Sequence, residues 1–297
     1  MSALRDALHS SSLATGLLQR CSFPFEGHLH CAVSGGADSV ALLLLASRTN
    51  RQVTAWHVDH GLRSDSSNDF VFVKQIAEAL EAHVELRTLA VQPGPNLEAR
   101  AREARFAALP PSVLTGHTAD DQAETVLINL LRGSGTAGLA GMRMDRHPLL
   151  RLRRDETREL CAELGLQPLQ DPMNEDARFQ RVRVRHELIP LLRDISQRDI
   201  VDVIARQAET LRGDDDLLDE LAAMIDVTDA RALSAAPVSL SRRAIRQWLA
   251  DPLPPDAATV DRVLAVARGE TAGCDVGRSR QVRRSQQRLG LHDLNVL

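Results

Sequence analysis

Leu29-His30-Cys31-Ala32-Val33-Ser34-Gly35-Gly36-Ala37-Asp38-Ser39-Val40 joins a short apolar run, a paired-glycine turn and the start of a longer apolar run. Leu29 to Val33 reads as a buried strand, and Ser39 to Ser47 as a helix. Between them, Gly35 and Gly36 lack a Cβ, so backbone N–H groups can curl around an anion. A helix starting near Asp38 adds about half a positive charge at its N-terminus, which favours phosphate there. No Gly-Lys-Ser/Thr follows, so this is not the P-loop NTPase motif. The bland alternative is a tight turn with Asp38 as an ordinary N-cap. A strand before and a helix after favour phosphate binding by Ser34, Gly35, Gly36, Ala37, Asp38 and Ser39. Asp38 is out of place in an anion site unless it faces a metal, and its carboxylate suits Mg2+.

Outward from this turn, the same alternation repeats. Val53 to Val58 reads as a strand, Phe70 to Ala82 as a helix and Val84 to Leu89 as a strand. Asn96 to Leu109 reads as a helix, with Asn96 as N-cap and Pro110-Pro111 as stop. Ser112 to Thr115 is a further strand and Ala119 to Leu131 a further helix. This pattern predicts an α/β fold, a parallel sheet covered by helices, with ligands beyond the carboxyl ends of its strands. After Arg132 a glycine-rich stretch, Gly133 to Gly138, leads into an arginine-rich region ending near Arg193. Asp199 to Ile225 reads as a long amphipathic helix, frayed or interrupted near Gly213 to Asp216. Two further helical pieces, Ser241 to Ala250 and Thr259 to Ala267, are separated by Pro252, Pro254 and Pro255. The expected organisation is a catalytic domain over 1–196 and a smaller, mainly helical C-terminal domain over 197–297.

Composition bounds the reading. At 297 residues, 43% hydrophobic and 26% charged, the chain is an ordinary globular one. Its longest apolar run, Val40 to Ala46, is too short to cross a bilayer, and no basic-then-apolar leader opens it. Cys21, Cys31, Cys161 and Cys274 form no CxxC pair, which speaks against a zinc site or disulfide scaffold and fits a reducing cytoplasm. The net charge of −4 argues weakly against nucleic acid. Lys74 is the only lysine, and arginine's flat fork suits phosphate, although a GC-rich genome explains the same bias.

Ser34 to Ser39 resembles the pyrophosphate loop of the PP-loop ATPases, which split ATP to AMP and pyrophosphate by adenylating a substrate on an adenine-nucleotide hydrolase-like sheet. Three more segments narrow the resemblance: Trp56 to Arg63, Gly116 to Thr125, and Asp171-Pro172-Met173-Asn174 preceding Arg181 to His186. With the glycine-rich Arg132 to Met142, and Asn96 to Phe106 carrying Glu98, Arg102 and Arg105, they resemble the tRNA(Ile)-lysidine synthetases from about Leu29 to Leu192. That resemblance implies a ligase using ATP and Mg2+. It would adenylate the wobble cytidine of a CAU-anticodon isoleucine tRNA, and the side-chain amine of L-lysine would then displace AMP. Met173 stands where such proteins usually have Ser, and Val182 where they have Asn. The chain is also short beside the longest of them, whose extra C-terminal module it is expected to lack.

The chemistry needs a held and deprotonated amine. A lysine side chain with a pKa of about 10.4 costs roughly 4–5 kcal/mol to deprotonate at neutral pH. His117, Asp121 and Glu124, four and then three apart, would share a helical face. The resemblance implies lysine binding and activation by Asp121 and Glu124, with His117 beside the adenylated base. Thr118-x-x-Asp121 is equally a capping box, and His117 equally a structural histidine at a strand end. Asp59 could accept a ribose hydroxyl, help to bind metal or simply form a turn before Gly61. Arg181, Arg183 and Arg185 would form one basic edge on a strand and spread around a helix, facing phosphate or solvent. Of these, Arg181 is the candidate for stabilising the activated base. Arg102, Arg105, Arg183, Arg185, Arg283 and Arg284 are candidates for tRNA contact, where phosphate pairing positions the substrate. Two other functions stay open: a PP-loop cytidine thiolase, against which the unpaired cysteines count, and a non-catalytic tRNA-binding protein.

Overall fold

Four segments pair into a parallel sheet, three of them buried and the fourth a polar edge. The computed structural model describes residues 2–59, 66–89, 104, 107–169, 176, 178–251 and 253–294. Helices α1 (Ser2–Ser10) and α2 (Ser12–Arg20) precede strand β1 (Leu29–Ala32) and helix α3 (Ala37–Ser47). Strand β2 (Val53–Asp59), helix α4 (Ser66–Ala79), strand β3 (His83–Thr88) and strand β4 (Leu114–Thr115) follow. The sheet order is β3-β2-β1-β4, with every pair parallel. Helices α5 (Ala119–Leu131), α6 (Thr136–Leu139) and α7 (Arg154–Glu163) come next.

The helix that begins at the decisive turn is apolar all round because it is enclosed all round. Val40 to Ala46 are fully buried, packed with Leu29, Cys31 and Ala55 of the sheet and with Leu160 and Cys161 of α7. Burying each of its four leucines contributes about 1.5–3 kcal/mol. On the exposed side of α4, Lys74 pairs with Glu78 at 3.7 Å, one turn on.

The arginine-rich region is helical. Helix α8 (Gln180–Arg183), a π-helical turn (Val184–Leu188) and helix α9 (Ile189–Ser196) follow one another directly. Val182 is buried at the start of this stretch, so an apolar side chain is what the position needs.

The chain divides into two compact units, Met1–Glu209 and Thr210–Leu297. Helix α10 (Ile200–Ala223) runs without a break through Gly213. The expected interruption is absent because Asp215, only 3% exposed, is ion-paired with Arg243 at 2.7 Å and lies inside the fold. Helices α11 (Ala230–Ala235), α12 (Val238–Trp248) and α13 (Ala257–Arg268) pack around Leu233, Ile245, Val263 and Val282. Beyond them the second unit holds an unexpected antiparallel sheet of β5 (Gly273–Gly277), β6 (Arg280–Ser285) and β7 (Arg288–Asp293). Its connecting residues, Arg278-Ser279 and Gln286-Gln287, all have positive φ. Hairpin turns of that kind are usually signalled by Asn or Gly, so these gave no sequence cue. Among the described residues no helix is long and apolar enough to cross a membrane.

Candidate active site

The strand order reverses direction between β1 and β4, and α/β sheets bind ligands at such a point beyond the carboxyl ends. The loop Ser34–Ser39 leaves β1 there, and Gly116-His117 leaves β4 beside it. The loop is braced from within. Ser39 Oγ accepts hydrogen bonds from the N–H groups of Ser34 at 3.1 Å and Gly35 at 3.2 Å, and donates to the Gly36 carbonyl at 2.8 Å. Two of the expected phosphate-facing amides are therefore turned inward. The amides available to a phosphate are those opening α3 after Gly36, where no side chain caps the helix. Gly35 has φ +94°, a conformation that glycine accepts freely. Buried His57 carries its proton on Nδ1, because it donates to the Val33 carbonyl at 2.8 Å just before the loop.

Gly116 is set by close approach. A Cβ there would lie 2.7 Å from the carbonyl carbon of Asp38 and 2.9 Å from the Ser39 nitrogen. Only hydrogen fits between the two loops.

Three carboxylates face three guanidiniums behind these loops. Asp38 accepts a hydrogen bond from Thr157 and has Arg154 Nε 3.6 Å away. Burial pushes its carboxyl up to about 6, Thr157 and Arg154 pull it down, and the neighbouring Asp121 adds to the rise. Asp121 Oδ2 accepts from the Thr118 backbone N–H at 3.0 Å and hydroxyl at 3.1 Å, completing the capping box of α5. Its Oδ1 accepts from Arg154 Nη2 at 2.9 Å. Burial alone would raise Asp121, but Arg154, His117, the Thr118 amide and Arg181 together hold it below the usual carboxylate range. Glu124, 0% exposed, accepts from Arg154 at 3.2 Å, Arg181 Nε at 3.0 Å and Arg185 Nε at 2.7 Å. Asp121 and Glu124 share a face of α5, as their spacing predicts, while His117 precedes the helix. Their oxygens are engaged by arginine.

Arg154 is the residue that the sequence did not single out. It opens α7 and touches Asp38, Asp121 and Glu124, yet it reads as one more arginine in Arg151-Leu152-Arg153-Arg154. The acids Asp155 and Glu156 after it were the available sign of a helix start. Arg181 and Arg185 converge on Glu124 from one helical face, across the start of the π-helical turn. Arg183 faces away and pairs with Glu187 at 2.8 Å. The three arginines spread around a helix, and no basic edge forms.

His117 is held through Thr115, whose hydroxyl lies 2.5 Å from His117 Nδ1 and 2.5 Å from His147 Nδ1. Asp59 ends β2, half-buried. Arg283 projects from β6 into solvent, whereas Arg284 is on the opposite, half-buried face and donates to Gln287 at 2.6 Å. Arg102, Arg105, His60 to Arg63 and Asp171 to Asn174 lie outside the described residues. Burial pushes the thiols of Cys21, Cys31 and Cys161 up to about 12, so none of these supplies a thiolate at neutral pH.

Comparison with known proteins identifies the family. Residues 13–192 match the PP-loop domain family. The tRNA(Ile)-lysidine synthase of Nocardia farcinica is 43% identical over 270 residues, covering 83% of this chain and 84% of that protein. The tRNA(Ile)-lysidine synthase of Mycobacterium leprae is 42% identical over 265 residues, covering 80% of this chain and 81% of its own. Among solved structures, a U34-tRNA thiolase of Methanococcus maripaludis shares the fold, with a TM-score of 0.53 at 17% identity over 70% of this chain and 80% of that one. With a PP-loop domain over residues 13–192 and relatives of this kind along most of its length, the chain belongs to the tRNA(Ile)-lysidine synthases, ATP-using ligases of the PP-loop family.

Proposed function

We propose that the chain adenylates the 2-oxygen of the wobble cytidine in a CAU-anticodon isoleucine tRNA. Pyrophosphate leaves in that step, and the side-chain amine of L-lysine then attacks the carbon that bears this oxygen, releasing AMP and giving lysidine. The observation that carries this reading is the meeting of the loop after β1 with His117 and the start of α5 at one switch point. An activated phosphate and an acceptor base can be held there side by side.

In this reading the amides opening α3 bind the pyrophosphate of ATP, and Asp59 accepts a ribose hydroxyl. Asp38 suits the Mg2+ that accompanies ATP, because its buried carboxylate is left short of positive charge by Thr157 and Arg154. That ion supplies charge neutralisation on the phosphates. The acidic pair Asp121 and Glu124 receives the lysine ammonium by exchange, cation for cation. Arg181 is the guanidinium that yields, since it is 35% exposed against 24% for Arg185 and 13% for Arg154. Once released, Arg181 can face the activated base. Asp121 and Glu124 take the first proton from the ammonium, and His117 takes the second, lost as the new C–N bond forms. Residues 1–196 carry the chemistry and 197–297 contact tRNA through Arg283, with Arg102, Arg105 and Arg183 as further phosphate contacts, while Arg185 stays on Glu124. The setting is the cytoplasm, which suits four free thiols.

Incubation with ATP, labelled lysine and CAU-anticodon isoleucine tRNA, followed by nucleoside analysis, tests the proposal. Labelled lysidine with one AMP per turnover is expected. Lysine-independent thiolation, or no ATP cleavage, refutes it.

A further inference from the structure

His117 does not act alone in this fold. Thr115, the last residue of β4, is buried, and its hydroxyl lies 2.5 Å from Nδ1 of both His117 and His147. The two rings stand edge-on, 4.8 Å between centroids and 85° between planes. His147 is held in place because the Thr115 N–H donates to the Arg146 carbonyl at 2.9 Å, and the His147 N–H to the Met144 carbonyl at 3.2 Å. A threonine hydroxyl has one proton to give and lone pairs to receive another. Bridging two ring nitrogens, it can accept from one while donating to the other. The protonation of His147 and that of His117 are thereby linked through a single oxygen.

We propose that His147 is a positioning residue for the lysine step, the far end of a proton relay running from His117 through Thr115. This rests on the function proposed above. At rest His117 carries its proton on Nδ1 and donates it to Thr115 Oγ, and the Thr115 hydroxyl donates to an unprotonated His147 Nδ1. In this relay the unprotonated Nε2 of His117 is the atom that receives the substrate's proton. The Asp121–Glu124 pair first takes one proton from the bound ammonium. When the freed lysine Nζ then bonds to C2 of the adenylated cytidine, the C2–O bond breaks and its electron pair leaves with AMP. The surplus proton on Nζ passes to His117 Nε2. His117 Nδ1 hands its proton to Thr115 Oγ, and the Thr115 proton moves to His147 Nδ1. His147 ends as the cation, only partly buried, and returns a proton to water. His117 is neutral again, its remaining proton now on Nε2. The Asp121 carboxylate, held low chiefly by Arg154, favours the imidazolium that His117 becomes in passing.

Two variants, Thr115→Val and His147→Gln, test the relay in the full-length enzyme. Each is expected to slow lysidine formation from preadenylated tRNA by about 10- to 100-fold, more than it slows adenylation, because positioned proton transfer commonly contributes 100-fold or more. In mixtures of light and heavy water, the lysine step of the unaltered enzyme should show the curved dependence of several protons in flight. Thr115→Val should reduce it to a straight line. Equal losses in both half-reactions, or a linear dependence in the unaltered enzyme, would overturn the relay. Histidine 15N spectra of the free protein give a readout independent of turnover. His117 protonated on Nδ1 with His147 unprotonated there is expected, and the opposite pair overturns the proposal. If the unaltered enzyme adenylates tRNA but never incorporates lysine, the proposed function fails, and the spectra still decide whether the relay is built.

Discussion

Asp38 carries two opposed demands. In the unfolded chain its carboxyl ionises near 3.8, and in the fold near 6. The native state therefore holds the proton more tightly, and ionisation penalises the fold increasingly between those values and fully above pH 6. Asp38→Asn keeps the acceptor for Thr157 and cannot ionise. It should stabilise the protein by about 3 kcal/mol at pH 8 and by almost nothing near pH 4, a rise of several degrees in Tm. Adenylation should be lost at every pH, so calorimetry and pyrophosphate release measured on the same samples separate the two effects. Gly116 poses a steric demand instead. Gly116→Ala must push the Asp38 backbone back by roughly 1 Å, and a displacement of that size costs about 100-fold in rate. Steady-state adenylation by the folded variant checks this, and normal turnover would show that the loop yields freely.

At the level of elements, Arg154 ties the start of α7 to α3 and α5. Removing one partner from a buried charge cluster costs about 3–5 kcal/mol, and Arg154→Ala should lie near the lower figure because Glu124 keeps two guanidiniums. Urea unfolding measures the loss, and Arg154→Lys should restore part of it. This tie was illegible in the sequence because its partners sit at 38, 121 and 124, separated by whole strands and helices. The phosphate turn and helix α5 were legible, since each is written locally: two glycines between strand and helix, and a capping box before a periodic run. The sheet β5–β7 was hidden by hairpin turns made of Arg, Ser and Gln, and by strands in which Arg interrupts the apolar alternation. Gly213-Asp214-Asp215-Asp216 looks like a helix break until Asp215 is found buried against Arg243.

On the scale of the whole molecule, a net charge of −4 means that tRNA must be drawn by local positive faces rather than by the total. Arg283 and Arg284 are neighbours with different fates. Arg283→Ala should weaken tRNA binding and reduce the slope of log affinity against log salt by about one contact's worth. Arg284→Ala should instead lower thermal stability, because its guanidinium packs over Gly269 and Gln287. Filter binding across a salt series, beside melting curves, distinguishes them. The ion pair of Lys74 with Glu78 has a practical side of another kind. Lys74 is the only lysine that the ribosome places in this chain. In protein made with ordinary lysine, 15N-labelled substrate lysine can be followed by NMR with no lysine background from the enzyme. Amine-selective dyes, conversely, can mark a single side chain, on a helix that the proposed chemistry does not touch.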